Sequence, residues 1–291
     1  MQKSCQNCSK DFEAKRSTAV FCSTKCRVSF SRKEAPLVVK KKMSADEALE
    51  LINKRLANRG LPLAIKASDL PPIEFISSGI AEIDQMTGGF PKNRITEIFG
   101  MKGVGKTALM AQILSKNLPT LKVFYIDSEN AMRGDHPNMK AYSTYILENA
   151  EAAVSDALDT DAFDVIIVDS VASLVPRAEI EGEEGEAHMG LKARLMSQWM
   201  RRINPHMHGK KAAVVFINQQ RETMDLYGPK KTTPGGLGLP YAASLRLELK
   251  TTKADRIVKN GEVIGHWVSV EVEKSRVCKP YQKTKFKLLY E

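Results

Sequence analysis

A glycine-rich run that ends in lysine and threonine has the residue types and the spacing of a loop that binds nucleotide phosphates. The run reads Gly100, Met101, Lys102, Gly103, Val104, Gly105, Lys106 and Thr107, and it matches G-x4-G-K-[ST] at every fixed position. Its glycines allow backbone N–H groups to surround phosphate oxygens, and the helix that follows adds the partial positive charge of its N-terminus. We therefore expect Lys106 to contact the β- and γ-phosphates and Thr107 to bind Mg²⁺.

Two acidic side chains follow apolar segments that are typical of buried strands. Asp169 comes directly after residues 165–168, and Glu129 comes shortly after residues 123–126. A carboxylate at the carboxyl end of such a strand can organise the Mg²⁺ shell, which is the role we expect for Asp169. A carboxylate in the position of Glu129 can orient and activate the water that attacks the γ-phosphate. The alternative is that Glu129 only caps a helix.

Four of the five cysteines lie within the first 26 residues, in two closely spaced pairs. Two residues separate Cys5 from Cys8, three separate Cys22 from Cys26, and thirteen lie between the pairs. No apolar signal segment follows the N-terminus, so a disulfide framework is not expected. Two such pairs suit one tetrahedral Zn²⁺ ion, and four thiolates leave no open position for catalysis. The sequence predicts a structural zinc module that folds only with its metal and binds either nucleic acid or protein.

These groups need a framework, and the apolar pattern predicts one of the α/β class. From about residue 74, strands alternate with helices, with the clearest strands at residues 95–99, 122–126, 165–168 and 212–217. Such alternation is typical of a mainly parallel central sheet flanked by helices, whose strands are buried on both faces. Asn260 and Gly261 predict the turn of a later antiparallel hairpin. Ser44 and Glu47 form a capping box that predicts a helix of about four turns ahead of the sheet.

The composition excludes several classes of protein. The chain has 291 residues, 43% of them apolar, and no run of 18 apolar residues, so we expect a folded core and no transmembrane helix. The net charge of +10 is uneven: residues 1–42 carry +8, residues 43–191 carry −10 and residues 192–291 carry +12. Basic ends around an acidic middle favour a polyanionic partner such as nucleic acid. The alternative is ordinary surface charge, unevenly spread.

Taken together, several segments beyond the phosphate loop resemble the RecA family of ATP-dependent DNA strand-exchange recombinases. The likeness covers roughly residues 74–291 and follows the family's order and spacing; the zinc module is an addition to the family's core. The matching motifs are Asp127-Ser128-Glu129, Val168-Asp169-Ser170-Val171-Ala172, residues 178–191 and 193–198, Phe216-Ile217-Asn218-Gln219 followed by Arg221, Thr232-Thr233-Pro234-Gly235-Gly236, and Lys274-Ser275-Arg276.

The resemblance implies roles for these residues. It implies a catalytic set of Glu129, Lys106, Gln219, Lys274 and Arg276, in which Gln219 senses the γ-phosphate and the last two reach the ATP of a neighbouring subunit. It also implies two DNA-binding loops, with contacts expected from Met189, Arg194, Arg201, Arg221, Tyr227, Lys230, Lys231, Thr232, Thr233, Gly235 and Gly236. Met189 and Tyr227 offer an apolar wedge and an aromatic face to bases. The alternative for Met189 is a core methionine, and the alternative for the arginines after it is a solvated face.

The chain also departs from the family pattern. The middle of its phosphate loop differs, and Arg133 and His136 replace the family's Asp and Tyr near the adenine, so no adenine contact is predicted. The chain stops at Glu291, so we expect the family's C-terminal duplex-binding domain to be absent. We predict a four-cysteine zinc-binding module at 1–30, a basic linker at 31–42, an N-terminal helix and oligomerisation segment at 43–73, and a RecA-like ATPase core with two DNA-binding loops at 74–291.

The sequence thus predicts a cytoplasmic, DNA-dependent ATPase that uses ATP, Mg²⁺ and Zn²⁺ and has no membrane partner. The first hypothesis is a recombinase that forms a helical homo-oligomeric filament on single-stranded DNA and exchanges strands with homologous double-stranded DNA. A loader or a single-strand-binding protein is a further partner in this hypothesis. The second hypothesis is an accessory or motor ATPase, like a helicase or a loader, that acts on single strands without exchange. The third is a regulatory scaffold whose zinc module recruits a protein.

Overall fold

The structure is a computed structural model that describes residues 2–14, 16, 18–34, 43–117, 120–131, 138–183, 190–222 and 231–289. Three of the predicted DNA contacts, Met189, Tyr227 and Lys230, lie outside these residues. Arg133 and His136 lie outside them too, so their predicted replacement of the family's adenine contacts stays a prediction. The chain divides into two compact units, Met1–Pro71 and Pro72–Glu291.

The first unit is built from short elements. They are β1 (Gln2–Ser4), β2 (Asp11–Glu13), α1 (Thr24–Glu34) and α2 (Ala45–Ala57). β1 pairs with β2 in an antiparallel ribbon. The predicted capping box is present at the start of α2: the Glu47 backbone N–H donates to Ser44 Oγ at 3.1 Å, and the Ser44 N–H donates to Glu47 Oε2 at 2.8 Å. No residue of α2 is buried.

The second unit contains the large sheet and the helices that cover it. Its strands are β3 (Phe75–Ile76), β4 (Phe90–Pro91), β5 (Ile95–Gly100), β6 (Val123–Asp127), β7 (Met139–Ser143), β8 (Val165–Asp169), β9 (Ala213–Gln219), β10 (Arg221–Glu222), β11 (Lys231–Thr232), β12 (Leu245–Lys250), β13 (Arg256–Lys259), β14 (Glu262–Ser275) and β15 (Lys283–Leu289). Its helices are α3 (Ala81–Thr87), α4 (Lys106–Asn117), α5 (Leu147–Thr160), α6 (Arg177–Glu181), α7 (Leu191–Met207) and α8 (Gly238–Ala242).

Nine of these strands form one sheet in the described part of the chain. The order is β13-β14-β12-β5-β9-β8-β6-β7, with β15 beside β14. The six strands from β12 to β7 run parallel, whereas β13, β14 and β15 pair antiparallel. The predicted α/β class with a mainly parallel sheet is therefore confirmed. The β13–β14 turn falls on Asn260 and Gly261, whose φ angles of 54° and 82° are those that a two-residue hairpin needs.

Three strands of the sheet, β7, β12 and β15, are not among those that the sequence predicts. β7 lies at the sheet edge and is largely exposed, so no apolar run marks it in the sequence. The predicted strands differ only slightly from the observed ones. The second begins at Val123 rather than Lys122, and the fourth begins at Ala213 and extends to Gln219.

Two apolar layers hold the sheet between helices. Val215 and Ile217 of β9 lie in the layer that includes residues of α3 and α4. Val214 and Phe216, which alternate with them, lie in the layer formed with α5 and α7. Trp199 of α7 is fully buried, and its ring packs edge-on against Phe216 with centroids 5.2 Å apart. The parallel strands are therefore buried on both faces, as their apolar runs indicated.

The register of the parallel strands brings their carboxyl ends to one sheet edge. Gly100 of β5 is paired with Gln219 of β9, Asp127 of β6 with Asp169 of β8, and Asp169 with Ile217. The phosphate loop, the two acids and the glutamine therefore share one edge, which is where open α/β sheets bind ligands. No helix in the described ranges has both the length and the apolar composition needed to cross a bilayer.

Candidate functional site

The phosphate loop connects the end of β5 to the start of α4. Gly100 is the last residue of β5 and Lys106 the first of α4. Gly103 and Gly105 have φ angles of 80° and 90°, which only glycine adopts without strain. A Cβ atom at Gly105 would also collide with the Leu288 side chain. Val104 is buried in the core, whereas Met101 is 40% exposed.

A cavity of about 280 Å³ lies at the mouth of this loop. Its lining comes from the loop, the start of α4 and the carboxyl ends of three strands. The lining residues are Lys102, Gly103, Gly105, Lys106, Thr107, Ala108, Glu129, Asp169, Ser170 and Gln219. The structure thus brings together the predicted phosphate-binding, magnesium and catalytic residues, except for Gly100, Met101 and Val104 of the loop and for Lys274 and Arg276.

The Lys106 ammonium group is held by the loop itself. Its Nζ donates to the backbone oxygens of Gly100 at 3.0 Å and Met101 at 2.9 Å. Burial lowers the pKa of Lys106, and the charges of Asp169 and Glu129 oppose this effect. Phosphate oxygens that enter the cavity would offer this buried ammonium a stronger, charged partner than two carbonyl groups.

Asp169 and Thr107 form the oxygen donor pair expected of a magnesium site. Asp169 is 2% exposed, and burial raises its pKa, while hydrogen bonds from Tyr125 and Thr107 oppose the rise. Tyr125 Oη donates to Asp169 Oδ2 at 2.6 Å and fixes the carboxylate from below the cavity. Mg²⁺ prefers one or two carboxylate or hydroxyl oxygens together with phosphate oxygens and water. The residues at this position therefore fit the ion.

Glu129 accepts three hydrogen bonds on a single oxygen. Its Oε1 receives Ser170 Oγ at 2.5 Å, Ser173 Oγ at 2.7 Å and Gln219 Nε2 at 3.1 Å. Burial acts to raise the pKa of Glu129, but these three donors and the Lys106 charge outweigh it, so the pKa lies below its ordinary value. Glu129 does not cap a helix through these contacts. It lies in the cavity beside the glutamine that ends β9.

Gln219 stands where the second predicted DNA-binding loop, residues 220–239, leaves the sheet; this segment is called the second loop below. β10 and β11 follow and pair as a short antiparallel stem, Arg221 with Thr232. Behind the glutamine, Asn218 Nδ2 donates to the Pro234 carbonyl at 3.1 Å and to Glu97 Oε1 at 3.0 Å. The second loop is therefore attached at both of its ends to β9.

A buried ion pair lies beneath this attachment. Arg246 Nε donates to Glu97 Oε2 at 2.6 Å, and Arg246 Nη1 donates to Glu273 Oε2 at 2.6 Å. Burial raises the pKa of Glu97, and the Arg246 charge and the Asn218 hydrogen bond offset this only in part. The pair joins β5, β12 and β14 under the site, so it holds the sheet register that positions Asn218 and Gln219.

The predicted DNA contacts that the structure describes lie on α7, on the stem and after it. Arg194, Arg201 and Arg221 are exposed, as is Thr232, whereas Thr233 is buried. The side chain of Lys231 lies outside the described residues, although its backbone belongs to β11.

Two glycines carry the end of the second loop across α7. Gly235 and Gly236 have φ angles of 92° and 71°. A Cβ atom at Gly236 would lie 2.8 Å from Ala193 Cβ, and one at Gly235 would lie 3.2 Å from Met196 Cγ. Only glycine permits this close approach, so these two residues place the loop end on the helix that bears the exposed arginines.

Lys274 and Arg276 lie far from the phosphate loop of their own chain. Lys274 pairs with Arg246 of β12, whereas Gly100 pairs with Leu249, three residues further along that strand. The offset is about 10 Å along the sheet. Lys274 Nζ donates to the carbonyls of Pro240 and Tyr241 at 2.7 and 2.9 Å, and Arg276 Nη2 donates to Tyr241 O at 2.9 Å. Both cations therefore cap the end of α8, and neither reaches the cavity.

The four N-terminal cysteines converge in the first unit. Their Sγ atoms all lie within 4.8 Å of one another. Cys8 Sγ lies 3.7 Å from Cys22 Sγ, and Cys22 Sγ lies 3.5 Å from Cys26 Sγ. Tetrahedral Zn–S bonds of about 2.3 Å place sulfurs about 3.8 Å apart, so the spacing fits zinc. The Cys22 backbone N–H lowers the pKa of Cys5 to about 6, whereas hydrogen bonds with the neighbouring cysteines raise the pKa of Cys22 to about 12. Phe21 and Phe30 pack beside the cluster with centroids 5.2 Å apart.

Several residues of the site were not assigned a role from the sequence. Ser170 and Ser173 follow Asp169 closely, and this proximity was the available signal. Tyr125 lies two residues before Asp127 on β6, within an apolar run that indicates only a strand. His266, whose Nε2 lies 3.2 Å from the Val104 carbonyl beneath the loop, is distant in sequence and carried no local signal.

The fold and the cavity define a nucleotide-binding α/β protein of the phosphate-loop class. A family model described as the RecA N-terminal domain matches residues 43–291. Protein RecA of Aquifex aeolicus is 36% identical over 266 residues, which cover 86% of this chain and 75% of that protein. Protein RecA of Aquifex pyrophilus is 37% identical over 86% of this chain and 74% of that protein, and Protein RecA of Clostridium acetobutylicum is 36% identical over 84% and 73%. The chain belongs to the RecA family, and membership implies an ATPase core.

Proposed function

We propose that this protein is an ATP-dependent DNA recombinase that forms a filament on single-stranded DNA and catalyses homologous pairing and strand exchange. The observation that carries the proposal is the 3.1 Å hydrogen bond from Gln219 Nε2 to Glu129 Oε1. It joins the acid of the nucleotide cavity to the residue from which the second loop departs. A γ-phosphate that competes for the Gln219 amide would change this bond and the loop together.

Hydrolysis in this proposal depends on four side chains of the cavity. Lys106 leaves the loop carbonyls and binds the β- and γ-phosphates. Thr107 and Asp169 hold the Mg²⁺ ion, which neutralises charge on the phosphates when it is bound. Glu129 orients the attacking water and accepts its proton, which requires that the carboxylate lose some of its three donors, because they lower its basicity.

Lys274 and Arg276 complete the site of a neighbouring subunit in this proposal. They lie about 10 Å along the sheet from their own phosphate loop and bind only the end of α8 among the described contacts. Burial and the nearby charges of Arg276 and Arg246 lower the pKa of Lys274, so an anionic partner would stabilise it. A triphosphate on the next subunit supplies that anion, and hydrolysis then requires assembly.

DNA binding is supported by the basic surface around the second loop. Arg194 and Arg201 are exposed on α7, and Arg221 begins the stem. Guanidinium contacts to phosphates carry no sequence information directly, which suits a protein that accepts any sequence. The predicted partners Met189, Tyr227 and Lys230 belong to the same proposal.

Assembly into a homo-oligomer is supported by a sheet edge with an adjacent apolar groove and by a separate segment with exposed apolar side chains. β7 is a sheet edge, and an apolar groove of about 580 Å³ beside it is lined by Phe124, Ala141, Tyr142, Ala153 and Phe163 among others. Residues 61–73 carry exposed apolar side chains: Leu61, Leu63, Ile65, Leu70 and Ile73. We propose that this segment of one copy binds the groove of the next, as a strand edge and an apolar groove favour an extended apolar peptide.

The N-terminal module is proposed to be a structural zinc site that gathers DNA. Its thiolates have the spacing of a tetrahedral site. Residues 1–42 carry a net charge of +8, which favours a nucleic acid over a protein partner. The proposal places the whole protein in the cytoplasm, with a loader or single-strand-binding protein as a further partner.

A strand-exchange assay tests the function directly. The protein is incubated with ATP, Mg²⁺, a circular single strand and a homologous linear duplex, and the mixture is examined by gel and by electron microscopy. Exchange products together with long helical filaments are expected, and a heterologous duplex is the control. Rings without exchange would instead identify a motor or loader-like accessory ATPase with the same core.

A further inference from the structure

One lysine near the cavity has a role that neither the phosphate loop nor the predicted DNA contacts account for. Lys192 is the second residue of α7, and its Nζ donates to the Ala172 carbonyl at 2.9 Å. Burial lowers the pKa of Lys192 to about 8; the Arg221 charge lowers it further and the Glu179 charge opposes. The side chain is therefore a half-buried cation that is bound to a backbone oxygen rather than to an acid.

The carbonyl that Lys192 binds belongs to the turn that holds Glu129. Ala172 is the middle residue of the short 3₁₀ turn Val171–Ser173. Ser170, just before this turn, and Ser173, its last residue, both donate to Glu129 Oε1. This short segment thus accepts a hydrogen bond from Lys192 at its backbone and donates hydrogen bonds to Glu129 from its side chains. A movement of the Ala172 carbonyl is therefore expected to shift Ser170 and Ser173, which bind Glu129.

Lys192 also lies near the second loop, because Gly236 at the end of that loop approaches Ala193, the next residue of α7. Arg221 is the first residue of the β10 stem, and its charge acts on Lys192 unfavourably. Two like charges held near each other are stabilised by an anion that binds both. In the proposed function, the anion that comes to this loop is a phosphate of the DNA backbone.

We propose that Lys192 and Arg221 together bind a DNA phosphate, and that this binding acts on Glu129 through the turn Val171–Ser173. The inference rests on the proposed function. Without DNA, the ammonium group holds the turn by its carbonyl. A phosphate competes for the ammonium, the turn is released, and Glu129 loses hydrogen-bond donors and becomes a better base. Lys192 is a DNA-binding residue and a positioning residue for Glu129.

The variant Lys192→Met tests this coupling. ATP hydrolysis is measured with and without single-stranded DNA, and the ratio of the two rates is compared with that of the wild type. The ratio is expected to fall about tenfold, within the usual range for linked sites. Methionine has no ammonium group that could leave the Ala172 carbonyl and bind a phosphate. Lys210→Met is the matched control, since Lys210 Nζ also donates to a backbone carbonyl, that of Asp159 at 3.2 Å, away from the cavity.

The pH dependence provides a readout that a merely structural lysine would not move. In the wild type, the stimulation by DNA is expected to fall as pH rises through about 8, because the free side chain loses its proton there. The other charges that act on Lys192 are those of Arg221 and Glu179. Lys192→Arg stays charged and is expected to keep its stimulation to higher pH.

Two results would overturn the inference alone: a wild-type stimulation ratio in Lys192→Met, or equal pH profiles in Lys192→Arg and the wild type. The second comparison stays decisive even where the methionine variant fails to fold. If single-stranded DNA does not change the rate of ATP hydrolysis by the wild-type protein, the proposed function is overturned, and the inference with it. That result needs no variant, so the two failures are distinguishable.

Discussion

At the scale of single residues, Glu129 is held in a resting arrangement. Three donors on one oxygen keep its pKa low despite burial, so the carboxylate is ordered but weakly basic. Lys106 is likewise occupied, by two carbonyl groups of its own loop. Both groups must change partners when a triphosphate binds. The side chains that would act on the nucleotide are therefore already bound to groups of the protein itself.

Replacing Glu129 separates hydrolysis from nucleotide binding. Glu129→Gln keeps an acceptor for the serines but removes the base, so the DNA-stimulated rate of phosphate release is expected to fall by at least about 100-fold. ATP affinity is expected to stay near that of the wild type, since the phosphates are bound by the loop. Glu148→Gln is a matched control, because Glu148 accepts only a backbone N–H of Arg177 among its described bonds. Intact hydrolysis in Glu129→Gln would show that the base is elsewhere.

At the scale of elements, the end of the second loop depends on its contact with α7. Gly236→Ala places a methyl group against Ala193 in a backbone conformation with φ of 71°. We expect the loop end to shift off the helix and the affinity for single-stranded DNA to fall, while ATP affinity is unchanged. Filter binding or fluorescence anisotropy measures the first, and nucleotide competition the second.

A second glycine separates strain from displacement. Gly209 has a φ of 74°, and a Cβ there would meet nothing within 4 Å. Gly209→Ala thus shares the backbone cost of about 1–2 kcal/mol without the collision. It is expected to lower stability and leave DNA affinity intact. Equal loss of DNA affinity in both variants would contradict the argument from packing.

Local patterns in the sequence were enough to predict most of the sheet and the contents of the cavity. The apolar strands 95–99 and 165–168 and the phosphate loop follow from short segments with one physical solution. The edge strand β7 did not, because its exposed side chains carry no apolar period. The bonds of Ser170, Ser173 and Gln219 to Glu129 join residues up to 90 positions apart. Only the register of β6, β8 and β9 brings them together, and register is a property of the whole sheet.

At the scale of the whole molecule, the proposed function gives the two units separate tasks. Deleting residues 1–42 removes a net charge of +8, so DNA affinity is expected to become less sensitive to salt. The slope of log affinity against log salt should lessen by about 0.7 for each DNA phosphate that the module neutralises in the full chain. Hydrolysis without DNA is expected to stay unchanged and serves as the control. An unchanged slope would indicate that the zinc module binds a protein instead.

Mixing two inactive variants tests whether cations act between subunits. Glu129→Gln lacks the base, and the double variant Lys274→Ala, Arg276→Ala lacks the cations. In an equal mixture, about a quarter of head-to-tail interfaces pair an intact Glu129 with intact cations, so partial ATPase activity is expected to return. Each variant alone is the control. Activity that never exceeds the sum of the two would place the cations outside the site.

The separation of the phosphate loop from Lys274 and Arg276 has a geometric consequence. The loop lies at the carboxyl edge of the parallel strands, and the two cations lie about 10 Å back along the sheet. A two-fold dimer could satisfy both groups reciprocally, but it would be closed and could not grow into the proposed filament. A head-to-tail array that joins loop to cations is polar: one terminal subunit exposes a site without its cations, the other exposes cations without a site. The two ends differ chemically, so addition and loss of subunits have a built-in direction.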